Sequence, residues 1–149
     1  MPDQALSTLP REAKGPLAPP PVLNGPVQAV VGEIATWPEI KATTHWHLHD
    51  QTRVDGIDLY VGTDELGHIH LDGSIHLATS PEFGAILVRE GLGKPFPWAR
   101  GWTMAHIDRV SVDTVVALFR RNYDRLRPRA TNIADAPTTT CPTSNGESK

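Results

Sequence analysis

Glu65-Leu66-Gly67-His68-Ile69-His70-Leu71-Asp72-Gly73-Ser74-Ile75-His76-Leu77 alternates polar and apolar side chains on both sides of an Asp-Gly pair, the pattern of a β-hairpin. Successive strand residues face opposite ways, so the loop length decides which side chains meet. A three-residue loop Leu71-Asp72-Gly73, with Gly73 in the left-handed position of a bulged turn, pairs His70 with Ser74, Ile69 with Ile75 and His68 with His76. A two-residue Asp72-Gly73 turn would set His76 against His68 and His70 and divide the apolar residues between faces. The apolar alternation selects the longer loop. His68, His70 and His76 are therefore expected on one sheet face, and Ile69, Ile75 and Leu77 on the other.

The flanking sequence extends this sheet and covers it. Ile40 to His49 alternates in character, and so does Ile57-Asp58-Leu59-Tyr60-Val61, with Asp55-Gly56 and Gly62 read as the turn residues that bound it. Trp102 to Ile107 reads as a further strand. Val27, Val30, Val31 and Ile34 recur at helical spacing between Pro26 and Pro38. Ser80 is placed to cap a helix that begins at Pro81, carries Glu82 in its first turn and buries Phe83, Ile86 and Leu87 before Gly91. Ser111 opens the longest amphipathic pattern, with Val112, Val115, Val116, Phe119, Tyr123 and Leu126 along one stripe and Pro128 at its end. Elements in this order, without regular βαβ alternation, predict an α+β domain: an antiparallel β-sheet with about three helices packed on one face. The other face is left for the histidines.

The ends differ in composition from this middle. Seven prolines fall within the first 26 residues, so 1–25 is expected to be a flexible Pro-rich arm; 26–128 forms the α+β domain, and 129–149 a disordered polar tail. Cys141, the one cysteine of the 149-residue chain, rules out an intramolecular disulfide and a thiolate metal cluster. No apolar run approaches the roughly 20 residues that span a bilayer, and the N-terminus lacks a signal-peptide pattern, so a cytoplasmic protein without membrane association is expected. A net charge of −3 argues against binding nucleic acid. The arginines 120, 121, 125, 127 and 129 read as a solvated helix face.

Taken together, Trp37-Pro38, Glu65 to His70, Asp72-Gly73-Ser74, His76-Leu77, Gly101-Trp102 and Asn122-Tyr123 give the chain, over about Ile34 to Leu126, a resemblance to the luciferase-like family of small domains. No established reaction comes with that family, and no flavin, ATP or luciferin motif accompanies the name here. The sequence departs from the family pattern at Pro95-Phe96-Pro97, where relatives commonly carry a histidine or a His-Pro pair.

The chemistry is carried by imidazole. Neutral histidines on one sheet face are suited to Zn, Ni, Cu or Fe(II), with nearby carboxylates such as Asp50, Asp58 or Glu65 as further ligands or as their partners. His45, His47 and His49 are spaced by two and, on a strand, would share a face. The expected metal set is His68, His70, His76 and His47; the expected ligand-binding set is His68, His70, His76, Trp98 and Tyr60; and Glu65, His68 and His70 are the catalytic candidates. Trp98 lies on a Pro/Gly-rich loop that suits a pocket mouth, whereas Trp102 reads as core. Three functions fit: a small ligand-binding domain with a histidine-lined sheet face, a metal-dependent hydrolase or oxygenase built on the same histidines, and an accessory domain that binds a protein partner.

Overall fold

The computed structural model describes residues 14–127; the expected polar tail, with Cys141, and the start of the arm lie outside the described residues. Three helices, α1 (Gly25–Ile34), α2 (Pro81–Arg89) and α3 (Val112–Leu126), accompany the strands β1 (Ile40–His47), β2 (Asp50–Val61), β3 (Asp64–His70), β4 (Ser74–Ala78), β5 (Lys94–Pro95) and β6 (Trp102–His106). The strands form one antiparallel sheet in the order β1-β2-β3-β4-β6-β5. The fold is α+β, as the element order implied.

The hairpin takes the register that the apolar alternation demands, with Ile69 opposite Ile75 and His68 opposite His76. Gly73 sits at φ 91°, a conformation a Cβ would oppose, and Asp72 closes the loop by accepting hydrogen bonds from the Ser74 amide (2.8 Å) and hydroxyl (2.7 Å). Ile57, Leu59, Val61, Leu66, Ile69, Ile75 and Leu77 point to the helix side, where they meet Val30, Val31 and Ile34 of α1 and Val115, Leu118, Phe119 and Tyr123 of α3. Both predicted serine caps form: Ser80 accepts from the Phe83 amide and Ser111 from the Thr114 amide.

Two features differ from the sequence reading. Asp55-Gly56 does not end a strand, because β2 runs from Asp50 and Gly56 lies within it, opposite His45 on one side and His70 on the other. This glycine serves close approach: a Cβ there would stand 2.0 Å from the Ile69 carbonyl oxygen. The arm is also not wholly free. Ala18 and Pro19 accept hydrogen bonds from the Thr44 amide and hydroxyl, Pro16 accepts one from the Trp46 indole, and Leu23 is buried in the core. Residues 14–23 thus pass along the outer edge of β1, from the histidine side, where Lys14 lies, to the helix side. This covers an otherwise open row of strand donors.

The motifs that carry the family resemblance touch one another. The Tyr123 hydroxyl donates to the Pro38 carbonyl (2.8 Å), and the Trp37 and Tyr123 rings lie 5.2 Å apart. Asn122, fully buried, donates to the carbonyls of Leu66 (2.9 Å) and Ala78 (3.1 Å) and accepts from the Arg125 guanidinium (2.9 Å), tying α3 to β3 and to the end of β4. Its absence from the predicted apolar stripe is explained by that role. Replacing Asn122 by Ala takes a donor from the buried Leu66 carbonyl, while Ala78 keeps the guanidinium of Arg125, and urea unfolding should show a loss of roughly 1–3 kcal/mol.

Candidate functional site

The face opposite the helices gathers four of the seven histidines. The sheet register places His68 and His76 side by side, with Asp58 next to His68, while His45 and His70 flank Gly56 two residues along β2. With no side chain between them, the His45 and His70 rings approach edge to face at 5.0 Å. His45 stacks on His68 at 4.2 Å, and His76 meets both His68 (4.9 Å) and His70 (4.8 Å).

A carboxylate holds one nitrogen of three of the four rings. Nδ1 of His45 lies 2.8 Å from Asp58, Nδ1 of His70 lies 2.8 Å from Asp55, and Nδ1 of His68 lies 3.2 Å from Glu65. A carboxylate accepts, so each of these Nδ1 atoms carries the proton and each Nε2 presents a lone pair. His45, His68 and His70 offer nitrogens that all lie within 4.8 Å of one another. Nδ1 of His76 stands 2.9 Å from Nε2 of His68 and 3.3 Å from Nε2 of His70. Two nitrogens on one tetrahedral zinc, each about 2.0–2.1 Å from the metal, would be about 3.3 Å apart.

Glu65 reaches this face through a bulge. Leu59 pairs with Gly67 but Tyr60 pairs with Glu65, so Leu66 is an extra residue that turns inward to the core while Glu65 turns to the histidines. Gly67 permits it, at φ 154° and with the His76 carbonyl oxygen 2.5 Å from where its Cβ would be. Lys14 completes the surroundings, its ammonium 2.5 Å from Glu65 and 3.7 Å from Asp58, and 5.6 Å from the centre of the Tyr60 ring.

Burial sets the protonation of the group. It holds His68 well below the ordinary imidazole value, helped by the neighbouring His45, His76 and His70. Burial likewise lowers His76 to about 4, with His70 and His45 adding to it, and lowers His70 against the opposing pull of Asp55. Glu65 moves the other way, raised by burial despite the ammonium of Lys14. For His68, His70 and His76 the shift favours the neutral imidazole, the form that binds metals.

A pocket of about 240 Å³ opens above these rings, bounded by Lys14, His45, Trp46, His47, Leu48, Gln51, Asp55, His68, His70, His76, Phe96 and Trp98. A larger cleft of about 600 Å³ lies between α2 and the loop 95–103, but its lining holds no histidine, carboxylate or cysteine. The chemistry is in the smaller one.

Each expected residue can now be placed. His68, His70 and His76 are at the centre, with Glu65 behind His68. Trp98 is at the mouth, 64% exposed, whereas Trp102 is buried beneath His68 with ring centres 5.4 Å apart. Tyr60 lies under Lys14 rather than in the pocket lining. His47 lies at the rim, whereas His45 packs against His68 and His70. The strand-pairing register shifts on both sides of Trp46, and Leu48-His49 forms a turn, so the three histidines spaced by two do not share a face. His106 stands apart, beside Asp108. Asp55 and Lys14 were missed: the first was read as a turn and the second as part of an arm, whereas Phe96, beside Trp98 in the sequence, lines the pocket.

The lowered histidines make metal-free protein sensitive to acid. Below the ordinary histidine value near 6.5 the unfolded chain takes up protons that the folded one refuses. Stability contributed by His68, His70 and His76 is thus present above pH 6.5 and is lost as pH falls toward about 4. Glu65 works in the opposite sense, its raised value costing stability as pH rises, and reduces the slope. Thermal melts of chelator-treated protein should show Tm falling between pH 6.5 and 4, less steeply in His76→Gln.

No curated protein and no solved structure matches the chain. Residues 63–122, which run from just before β3 into α3 and include His68, His70 and His76, match the family model described as Luciferase domain, so over that segment the chain is similar to the luciferase-like family.

Proposed function

We propose that this domain binds a divalent transition-metal ion on its histidine face and presents it to a small ligand in the pocket above. The observation that carries the reading is the pairing of Asp58, Glu65 and Asp55 with Nδ1 of His45, His68 and His70, which fixes the tautomer of three imidazoles whose candidate ligand atoms lie within 4.8 Å of one another. Ligating histidines characteristically give their other N–H to a carboxylate or carbonyl, which fixes the ring and raises its basicity. Charge supports the same reading. Three carboxylates, Asp55, Asp58 and Glu65, stand against these imidazoles, and among the described residues Lys14 brings an ammonium to them, an acidic balance that suits a cation.

Three histidines with an open fourth position make the ligand set of a reactive rather than a structural zinc site. His45, His68 and His70 supply the three. His76, against His68 and His70 and facing Phe96, stands beside the fourth position and steadies what occupies it. The expected His47 is not in this set. The reading stops at binding, because hydrolysis would need an acid or base free to move a proton at that position. Both Glu65 oxygens are engaged, one by His68 and the other by Lys14, so Glu65 orients a ligand histidine.

Protein purified without a histidine tag should contain close to one equivalent of zinc, iron, nickel, cobalt or copper by inductively coupled plasma mass spectrometry. His45→Ala and His68→Ala/His70→Ala should each lose it. His47→Ala should keep it. Protein that stays metal-free after incubation with these ions would overturn the reading.

A further inference from the structure

The walls of the pocket say what kind of molecule belongs above the metal. Trp46, Leu48, Phe96 and Trp98 supply apolar surface around a floor of imidazole nitrogens. Trp98 packs edge to face on Phe96 (5.6 Å), Phe96 packs on His76 (4.6 Å), and His76 packs on His68 and His70. A continuous line of rings thus leads from the surface to the nitrogens.

A lone exposed aromatic side chain is ordinary on a protein surface. Trp98 differs because of what holds it. Pro95 and Pro97 fix the backbone before it, Pro95 is paired with Thr103 of β6, and the Phe96 amide bonds to the Trp102 carbonyl (3.2 Å). A large ring face is therefore kept at the pocket mouth in a set position, although 64% of the residue is exposed to water. Covering that face with a ligand ring removes apolar area from water at little cost in ordering.

Size limits the occupant. At about 240 Å³ the pocket falls below the roughly 300–1,000 Å³ of sites that enclose drug-sized ligands. A flavin or a nucleotide would not be enclosed, and a molecule with one ring would.

We propose that the pocket takes a small molecule with a single flat aromatic ring that carries a nitrogen or oxygen donor: the donor fills the open metal position beside His76, and the ring lies against Phe96 and Trp98. This rests on the metal reading above and adds the ligand class to it. Trp98 is then the residue that selects an aromatic ligand over a bare donor, and it is a binding residue without a role in holding the metal.

The test uses the full chain loaded with Co²⁺, whose visible absorption reports its ligands, titrated with acetate, a donor without a ring, and with benzoate, the same donor on one ring. Both probes should change the cobalt spectrum, with benzoate binding at least tenfold more tightly. In Trp98→Ala that advantage should fall to threefold or less while acetate binding is unchanged, and Trp98→Phe should restore most of it. Equal binding of the two probes by the native protein, or an advantage that survives in Trp98→Ala, overturns the aromatic assignment. Cobalt that binds but responds to neither probe also overturns it, since His76 then closes the fourth position, and it leaves the metal site standing. Failure to bind cobalt at all removes the metal site and this inference with it.

Discussion

The three carboxylate–imidazole pairs, Asp58 with His45, Glu65 with His68 and Asp55 with His70, set the character of the whole open face. An imidazole taken out of water must place both ring nitrogens, one as donor and one as acceptor, and four of them packed together have few partners to offer one another. Fixing Nδ1–H on a carboxylate settles the tautomer of three rings at once. The cost is negative charge: Asp58 is 1% exposed, and burial disfavours a lone carboxylate. Lys14 answers part of that charge from outside the sheet. The face is thus held together by hydrogen bonds between carboxylates and imidazoles, and its apolar walls stand around it rather than through it.

Backbone irregularity makes these pairs reachable. In a regular strand Glu65 and His68 would face opposite sides, since they are three residues apart. The extra residue Leu66 reverses the parity, and Gly67 accepts the close approach of β4 that results. On the neighbouring strand Gly56 leaves a gap in the row of side chains, so rings from β1 and β3 meet across β2. The shift beside Trp46 then sends His47 to the rim. Gly56 read from sequence as punctuation, and both it and Gly67 serve packing between adjacent backbones.

This accounts for what the sequence disclosed and what it withheld. The hairpin was legible in full because its apolar residues admit one register only, and with it His68 and His76 as a pair. Helix positions followed from the caps at Ser80 and Ser111 and from valine spacing. His45 was visible as a candidate but was not separable from His47 and His49, because a period of two carries no sign of where a strand bends. The partnership of Glu65 with His68 was read as an option, yet its cause, the bulge, depends on cross-strand contacts that no local pattern encodes. Lys14 had no signal at all: its partners are dozens of residues away, and the proline-rich sequence around it buries few side chains. What holds that segment is a set of backbone carbonyls, which every residue possesses.

The boundaries of the family-like segment bear on how the site is composed. Residues 63–122 contain Glu65, His68, His70, His76, Phe96 and Trp98 but not Lys14, His45, Asp55 or Asp58. The segment therefore supplies one wall and two of the three converging imidazoles, while the third imidazole, two of the three carboxylates and the ammonium come from β1, β2 and the strand-edge segment before α1. Two histidines without His45 would leave a metal with half of a tetrahedral set. The histidine face is thus completed by residues that lie outside the segment 63–122.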